Sequence, residues 1–123
     1  FTDAEKITIS KLPAGIDNLG LYTFVNCHNL QISSIGEEGN EILVGNAVFM
    51  GAKVTNVTSF TFGPRVTIED MTIATGIFHR AYPNLNTVIC YNYAGCGSEE
   101  ELRYRLYGNE SRNITIMNTE FGG

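Results

Sequence analysis

A fixed spacing governs this chain. Ile7, Ile9, Leu12 and Pro13 recur as Leu30, Ile32, Ile35 and Gly36, every one at the same offset of 23. Leu30, Ile32 and Ile35 recur as Thr55, Val57 and Phe60, every one at an offset of 25. Leu19, Gly20, Phe24 and Cys27 move in step, to Val44, Gly45, Phe49 and Ala52, again by 25. A period in the low twenties marks a solenoid, in which each unit is one coil that cannot bury its apolar face alone. A third copy is looser. Ile73, Phe78 and Ala81 keep the spacing of Leu19, Phe24 and Cys27, but the offset from Phe49 to Phe78 grows to 29. The extra residues are expected in the Gly63–Asp70 region. Phe24, Phe49 and Phe78 should then stack in one column down the interior.

Local patterns place the elements. Ile7–Ile9, Leu30–Ser34, Thr55–Phe60 and Leu85–Tyr91 read as strands, rich in β-branched and apolar residues. Arg65–Thr72 is a further β-like run. Ala14–Gly20 reads as a turn-rich return and Leu21–Asn26 as a helical or 3₁₀ turn anchored by Phe24; Ile42–Phe49 repeats the return and its phenylalanine anchor. Glu37–Glu41 (EEGNE) is a solvated loop. Ser98–Tyr107 (SEEELRYRLY) is the one clear helix. Ser98 is a suitable N-cap and Glu101 completes a capping box. Acids fill the first turn and arginines follow, as the helix dipole favours. Asn113–Met117 alternates as a last strand. This helix and strand should cover the open end of the coils. One domain over 1–123 results, with coils at about 7–91 and a cap at about 92–123. The N-terminal end lacks such a device, and the chain begins at Phe1, so it reads as a piece of something longer.

Composition removes several functions. A net charge of -5 and a pI near 4.9 disfavour nucleic acid and anionic membrane surfaces. There is no apolar run long enough to span a bilayer. Cys27 shares its place with Ala52 and Ala81, so it is a packing residue. Cys90 and Cys96 are close enough in sequence for a disulfide, but nothing requires one. His28 and His79 fall at different places in the unit and need not meet. The cysteines and histidines lack zinc spacing, so no metal is expected. The acidic groups (Glu37, Glu38 and Glu41; Glu69 and Asp70; Glu99–Glu101) each suit a loop, a strand flank or a helix start. A glycosidase would need two of them facing across a groove. No phosphate loop is present, no cofactor is implied, and the chain reads as no enzyme. Asn-x-Ser/Thr triplets at Asn56, Asn109 and Asn113 are common by chance in so Asn- and Thr-rich a chain.

The stretch Leu12–Ile35, with Leu12, Pro13, Ile16, Leu19, Gly20, Phe24, Cys27, Leu30, Ile32 and Ile35 at their spacings, resembles the BspA-type leucine-rich repeat. Thr23 stands where that family prefers Ala. The resemblance implies about four coils, one parallel β-sheet face, and short helical or 3₁₀ returns. It also implies a protein of bacterial cell surfaces or bacteriophage particles. VTIEDMTI and NITIMNTEF resemble rungs of right-handed parallel β-helices, the alternative fold, which would place three short strands in each coil.

On the sheet expected here, Gln31, Ser33, Asn56, Thr58, Asn86 and Thr87 point outward as an uncharged hydrogen-bonding ladder. Tyr91 and Tyr93 could add an aromatic platform. Such a face suits sugar hydroxyls or a protein partner. The expected function is thus a non-enzymatic binding or adhesion module on a bacterial or viral surface, extracellular, cell-surface or virion in location. The alternative is a structural part of a virion or surface filament that packs against neighbouring subunits.

Overall fold

The computed structural model describes residues 12, 15–27, 30–73 and 75–120. The expected first strand, Ile7–Ile9, and His28 lie outside them. Seven short strands form: β1 (Asn18–Leu19), β2 (Ser34–Ile35), β3 (Ile42–Val44), β4 (Ser59–Phe62), β5 (Val66–Ile68), β6 (Thr87–Tyr91) and β7 (Thr115–Thr119). One helix, α1 (Glu99–Tyr107), lies between β6 and β7. No helix among the described residues is long and apolar enough to cross a membrane.

The strands assemble into two small parallel sheets, β1-β3-β5 and β2-β4-β6-β7. This corrects the expected fold. Neither a β solenoid of BspA-type repeats with one sheet face nor a right-handed β-helix describes it. The chain has two parallel sheets of three and four strands with few helices, an α/β-like arrangement. The physical reason lies in Ile42–Val44, which the period assigns to a return, and in Val66–Ile68, part of the further β-like run. In Ile42-Leu43-Val44 and Val66-Thr67-Ile68 the outer residues are buried and the middle one faces out. That alternation is a half-buried strand, and it pairs. Leu43 stands between Asn18 and Thr67 in this second sheet. The strand boundaries shift as well, for β4 begins at Ser59 and runs through Phe62 rather than over Thr55–Phe60.

Away from the sheets the chain crosses in tight turns that bond to one another through backbone. The N–H groups of Phe24 and Asn26 donate to the carbonyls of Val48 and Met50, at 2.8 and 2.9 Å. Those of Phe49 and Gly51 donate to Ile77 and His79, at 3.0 and 2.9 Å. Phe78 N–H donates to Leu106 of α1 at 2.8 Å. The phenylalanine column therefore forms. Phe24 and Phe49 stack at 5.5 Å between centroids, and Phe49 and Phe78 also at 5.5 Å, with rings within 8° of parallel. Tyr107, at the end of α1, continues the column at 5.9 Å from Phe78. Phe60 and Tyr82 meet it edge-on, and the Tyr82 hydroxyl donates to Ile32 O at 2.7 Å. Such offset and edge contacts add about 0.5–1.5 kcal/mol per pair beyond burial.

The loose third unit resolves differently from its expectation. Ile68, paired with Val44, takes the place given to Ile73. Four residues separate Leu19 from Phe24 and Val44 from Phe49, but nine separate Ile68 from Phe78. The extra residues therefore follow β5 instead of preceding it. Asn46, buried, holds them. Its Nδ2 donates to Asp70 O at 3.1 Å, and its Oδ1 accepts from Thr72 N at 2.7 Å and Ile73 N at 3.3 Å.

At α1 the Ser98 hydroxyl accepts from Glu101 N at 3.2 Å, so the cap forms. The reciprocal half of the capping box does not. Glu101 turns to Arg105, which also donates to Ile68 O. β7 pairs with β6 over five residues as the sheet's last strand, as the alternation from Asn113 to Met117 leads one to expect, and its far edge has no partner among the described residues.

Candidate functional site

The outer face of the four-stranded sheet is built by alternation. In β4, Phe60 and Phe62 point in while Ser59 and Thr61 point out. In β6, Val88 and Cys90 point in while Thr87, Ile89 and Tyr91 point out. In β7 the outward residues are Thr115, Met117 and Thr119, all exposed. Register then makes rows. Ser59, Thr87 and Thr115 form one, and Ser34, Thr61, Ile89 and Met117 the next. Tyr91 stands beside Thr119. None of these side chains is charged.

Of the residues expected on this face, Thr87 and Tyr91 are on it. Gln31 and Ser33 are exposed before β2, Asn56 and Thr58 before β4, and Asn86 just before β6. They border the sheet, and the Thr58 carbonyl accepts from the N–H groups of Asn86 and Thr87 at 2.9 and 3.2 Å. Asn86 Oδ1 accepts from the Thr87 hydroxyl at 2.8 Å. Tyr93 is half-buried in the turn after β6. The expected ladder was thus displaced by about one pair of residues. The alternation in SFTF and TVICY carried the signal for the true face.

The turn Asn92–Gly95 that follows β6 is unusual. Asn92, Tyr93 and Ala94 have φ of 50°, 53° and 50°, and Gly95 has 78°. Left-handed backbone costs a non-glycine residue roughly 1–2 kcal/mol, so three in succession need firm support. Asn118 on β7 supplies part of it, its Oδ1 accepting from Tyr93 N at 2.7 Å. Gly95 sits tight against Thr67, where an added Cβ would come within 2.9 Å of the methyl. This corner brings β6 next to the three-stranded sheet. Between them runs an open groove of about 780 Å³, lined by Asn18, Leu43 and Thr67 on the sheet, Asp17, Glu41 and Arg65 around it, and Tyr91, Asn92 and Gly95 at the corner. Arg65 and Glu41 form an ion pair across its edge. Nothing in the expected residue set except Tyr91 belongs to this groove, because a single-sheet reading leaves Asn18, Leu43 and Thr67 without a common surface.

A smaller hollow of about 520 Å³ lies beside α1, lined by Glu100, Arg103, Tyr107 and Arg112 among others. Its cations are engaged. Arg112 lies 5.0 Å from the Tyr107 ring centroid and donates to Tyr82 O and Pro83 O. Arg103 donates to Glu99 and to Ile114 O. The Tyr107 hydroxyl is buried without a hydrogen-bond partner, and burial pushes it up to about 12.

Cys27, Cys90 and Cys96 are all buried, and none is in a disulfide. Burial, with Glu99 adding, pushes Cys90 up to about 11, and burial does the same to Cys96. Such thiols are poor nucleophiles at neutral pH. His79 Nδ1 lies 3.8 Å from Glu110 Oε2. Among the described residues no group of three or more His, Cys, Asp or Glu is placed to hold a metal ion. Comparison with protein-family models, with curated proteins and with solved structures finds no match to this chain.

Proposed function

We propose that this chain is a non-enzymatic binding module that recognises a carbohydrate or protein receptor through the outer face of its four-stranded sheet. The observation that carries this reading is the row Ser59–Thr87–Thr115, extended by Ser34, Thr61 and Thr119: six hydroxyls on a rigid, uncharged surface beside the Tyr91 ring. Hydroxyls both donate and accept, so such a face matches sugar hydroxyls or peptide groups and selects against ions. A cell-surface or virion setting is part of this proposal on the sequence resemblance of Leu12–Ile35 alone, the fold that resemblance implies having been corrected above. Binding to an array of neutral and acidic glycans tests it. Neutral glycans should be retained, and Thr87→Val with Thr115→Val should weaken retention at least tenfold. Retention of acidic glycans alone, or no change in the double variant, would overturn the reading.

A second reading, a structural subunit that packs against its neighbours, is favoured by one observation. β7 ends the sheet with an uncharged edge, and Met117 within it is 56% exposed. Open edges of this kind pair with other chains unless charge prevents it. Sedimentation should then show concentration-dependent association that Met117→Lys abolishes. A monomer at all concentrations would exclude it.

A further inference from the structure

We infer that the groove between the three-stranded sheet and the Tyr91–Gly95 corner is a site for one residue of a neutral sugar, its ring laid against Tyr91 and Leu43 and its hydroxyls bonded to Asp17, Asn18, Glu41 and Arg65. The inference rests on the binding-module reading and names the ligand class. It differs in place, since the flat face offers only hydroxyls, whereas the groove collects planar polar groups.

The size fits. About 780 Å³ falls within the range of small-molecule sites, roughly 300–1,000 Å³, and leaves room for a sugar ring with its hydration. The chemistry fits as well. A carboxylate accepts through two oxygens, a guanidinium donates through a planar fork, and a primary amide does both. Adjacent sugar hydroxyls present the same paired geometry, and each can donate to one such group while it accepts from another. Asp17, Asn18, Glu41 and Arg65 are all exposed at the groove. Leu43 and Tyr91 supply the apolar surface on which the C–H face of a pyranose packs. Charge decides against anions. Two carboxylates and one guanidinium leave the groove mildly negative, which repels phosphate and carboxylate ligands. The Glu41–Arg65 pair already satisfies much of the positive charge.

Asn92, with φ of 50°, and Gly95, packed against Thr67, border the groove at the corner.

Amide chemical shifts of the full chain, titrated with the methyl glycosides of glucose, galactose, mannose and N-acetylglucosamine, test the site. At least one glycoside should shift the amides of Leu43, Thr67 and Gly95 saturably, in the millimolar range. Asp17→Ala and Glu41→Ala, both at exposed positions, should each weaken that binding at least fivefold while the remaining spectrum stays native. Thr87→Val with Thr115→Val should leave it unchanged. Shifts confined to Ser59, Thr87 and Thr115 would overturn the groove and leave the flat-face reading standing. Glycan-array binding with no shift at the groove would do the same. Larger groove shifts with inorganic phosphate than with any neutral glycoside, or no groove shift with any of the four, would also overturn it.

Discussion

Asn46 is the buried polar side chain of this core, 4% exposed. A lone amide in an apolar interior costs a few kcal/mol unless it is bonded. Here both ends of the amide are used, and what they bond is the backbone of the extra residues after β5. Gly45 beside it makes room, since a Cβ there would stand 2.9 Å from Leu19 O. Asn46→Ala should therefore destabilise the fold by about 1–3 kcal/mol, the usual cost of stranding buried backbone groups. The loss should be local as well as global. Urea denaturation gives the total, and hydrogen exchange at Thr72 and Ile73 should accelerate beyond what the global change explains. Equal acceleration everywhere would show that Asn46 is ordinary packing.

At the scale of elements, the stacked turns repeat a backbone conformation that their residues suit unequally. Asn26, Gly51 and Arg80 hold successive places with φ of 56°, 73° and 53°. Asn and Gly tolerate that region, and Arg does not. Arg80 is exposed, and its N–H donation to Glu110 survives substitution. Arg80→Gly should thus stabilise the protein by up to ~1 kcal/mol, relief of strain exceeding the added freedom of the unfolded chain. A lower thermal midpoint would contradict it. Much at this scale was legible in the chain. The period located Phe24, Phe49 and Phe78, and the alternation in β6 and β7 located strands. The cap signal at Ser98 located α1. Of the second sheet only Val66–Ile68 was legible, within the β-like run Arg65–Thr72; Asn18–Leu19 carries too few positions to show alternation, and Ile42–Val44 reads as part of a return. Tyr107 was missed in the ring column for a related reason. Its offset from Phe78 equals that of Phe78 from Phe49, but it lies in a helix where a turn was the template. The groove was hidden with the second sheet, since it exists only where two sheets meet.

For the molecule as a whole, the buried thiols set an alkaline limit. Cys90 and Cys96 keep their protons to about pH 11, against 9.0 for an unperturbed thiol. Above pH 9 the unfolded chain releases those protons and the folded chain does not. The unfolded state then binds fewer protons, so stability falls as pH rises, by at most about 1.4 kcal/mol per pH unit for each group. Tyr107 extends the fall from 10.0 to about 12. Urea midpoints should drop steadily between pH 9 and 11, and Cys90→Ala with Cys96→Ala should flatten that slope. An equal slope in the double variant would show that the thiols ionise freely in the native state. The parallel pairing sets a different limit, on time. Ile42 pairs near Val66 and Ser59 with Thr87, each far along the chain from its partner. Even β6 and β7, consecutive strands, run parallel with α1 between them. Among the described residues there is thus no hairpin from which folding can start. Each ladder must close a long loop before it gains a single bond, so refolding should take roughly milliseconds to seconds rather than microseconds. During that interval the β-branched segments stand unpaired, and fast dilution from denaturant is the condition under which this chain is most exposed to aggregation.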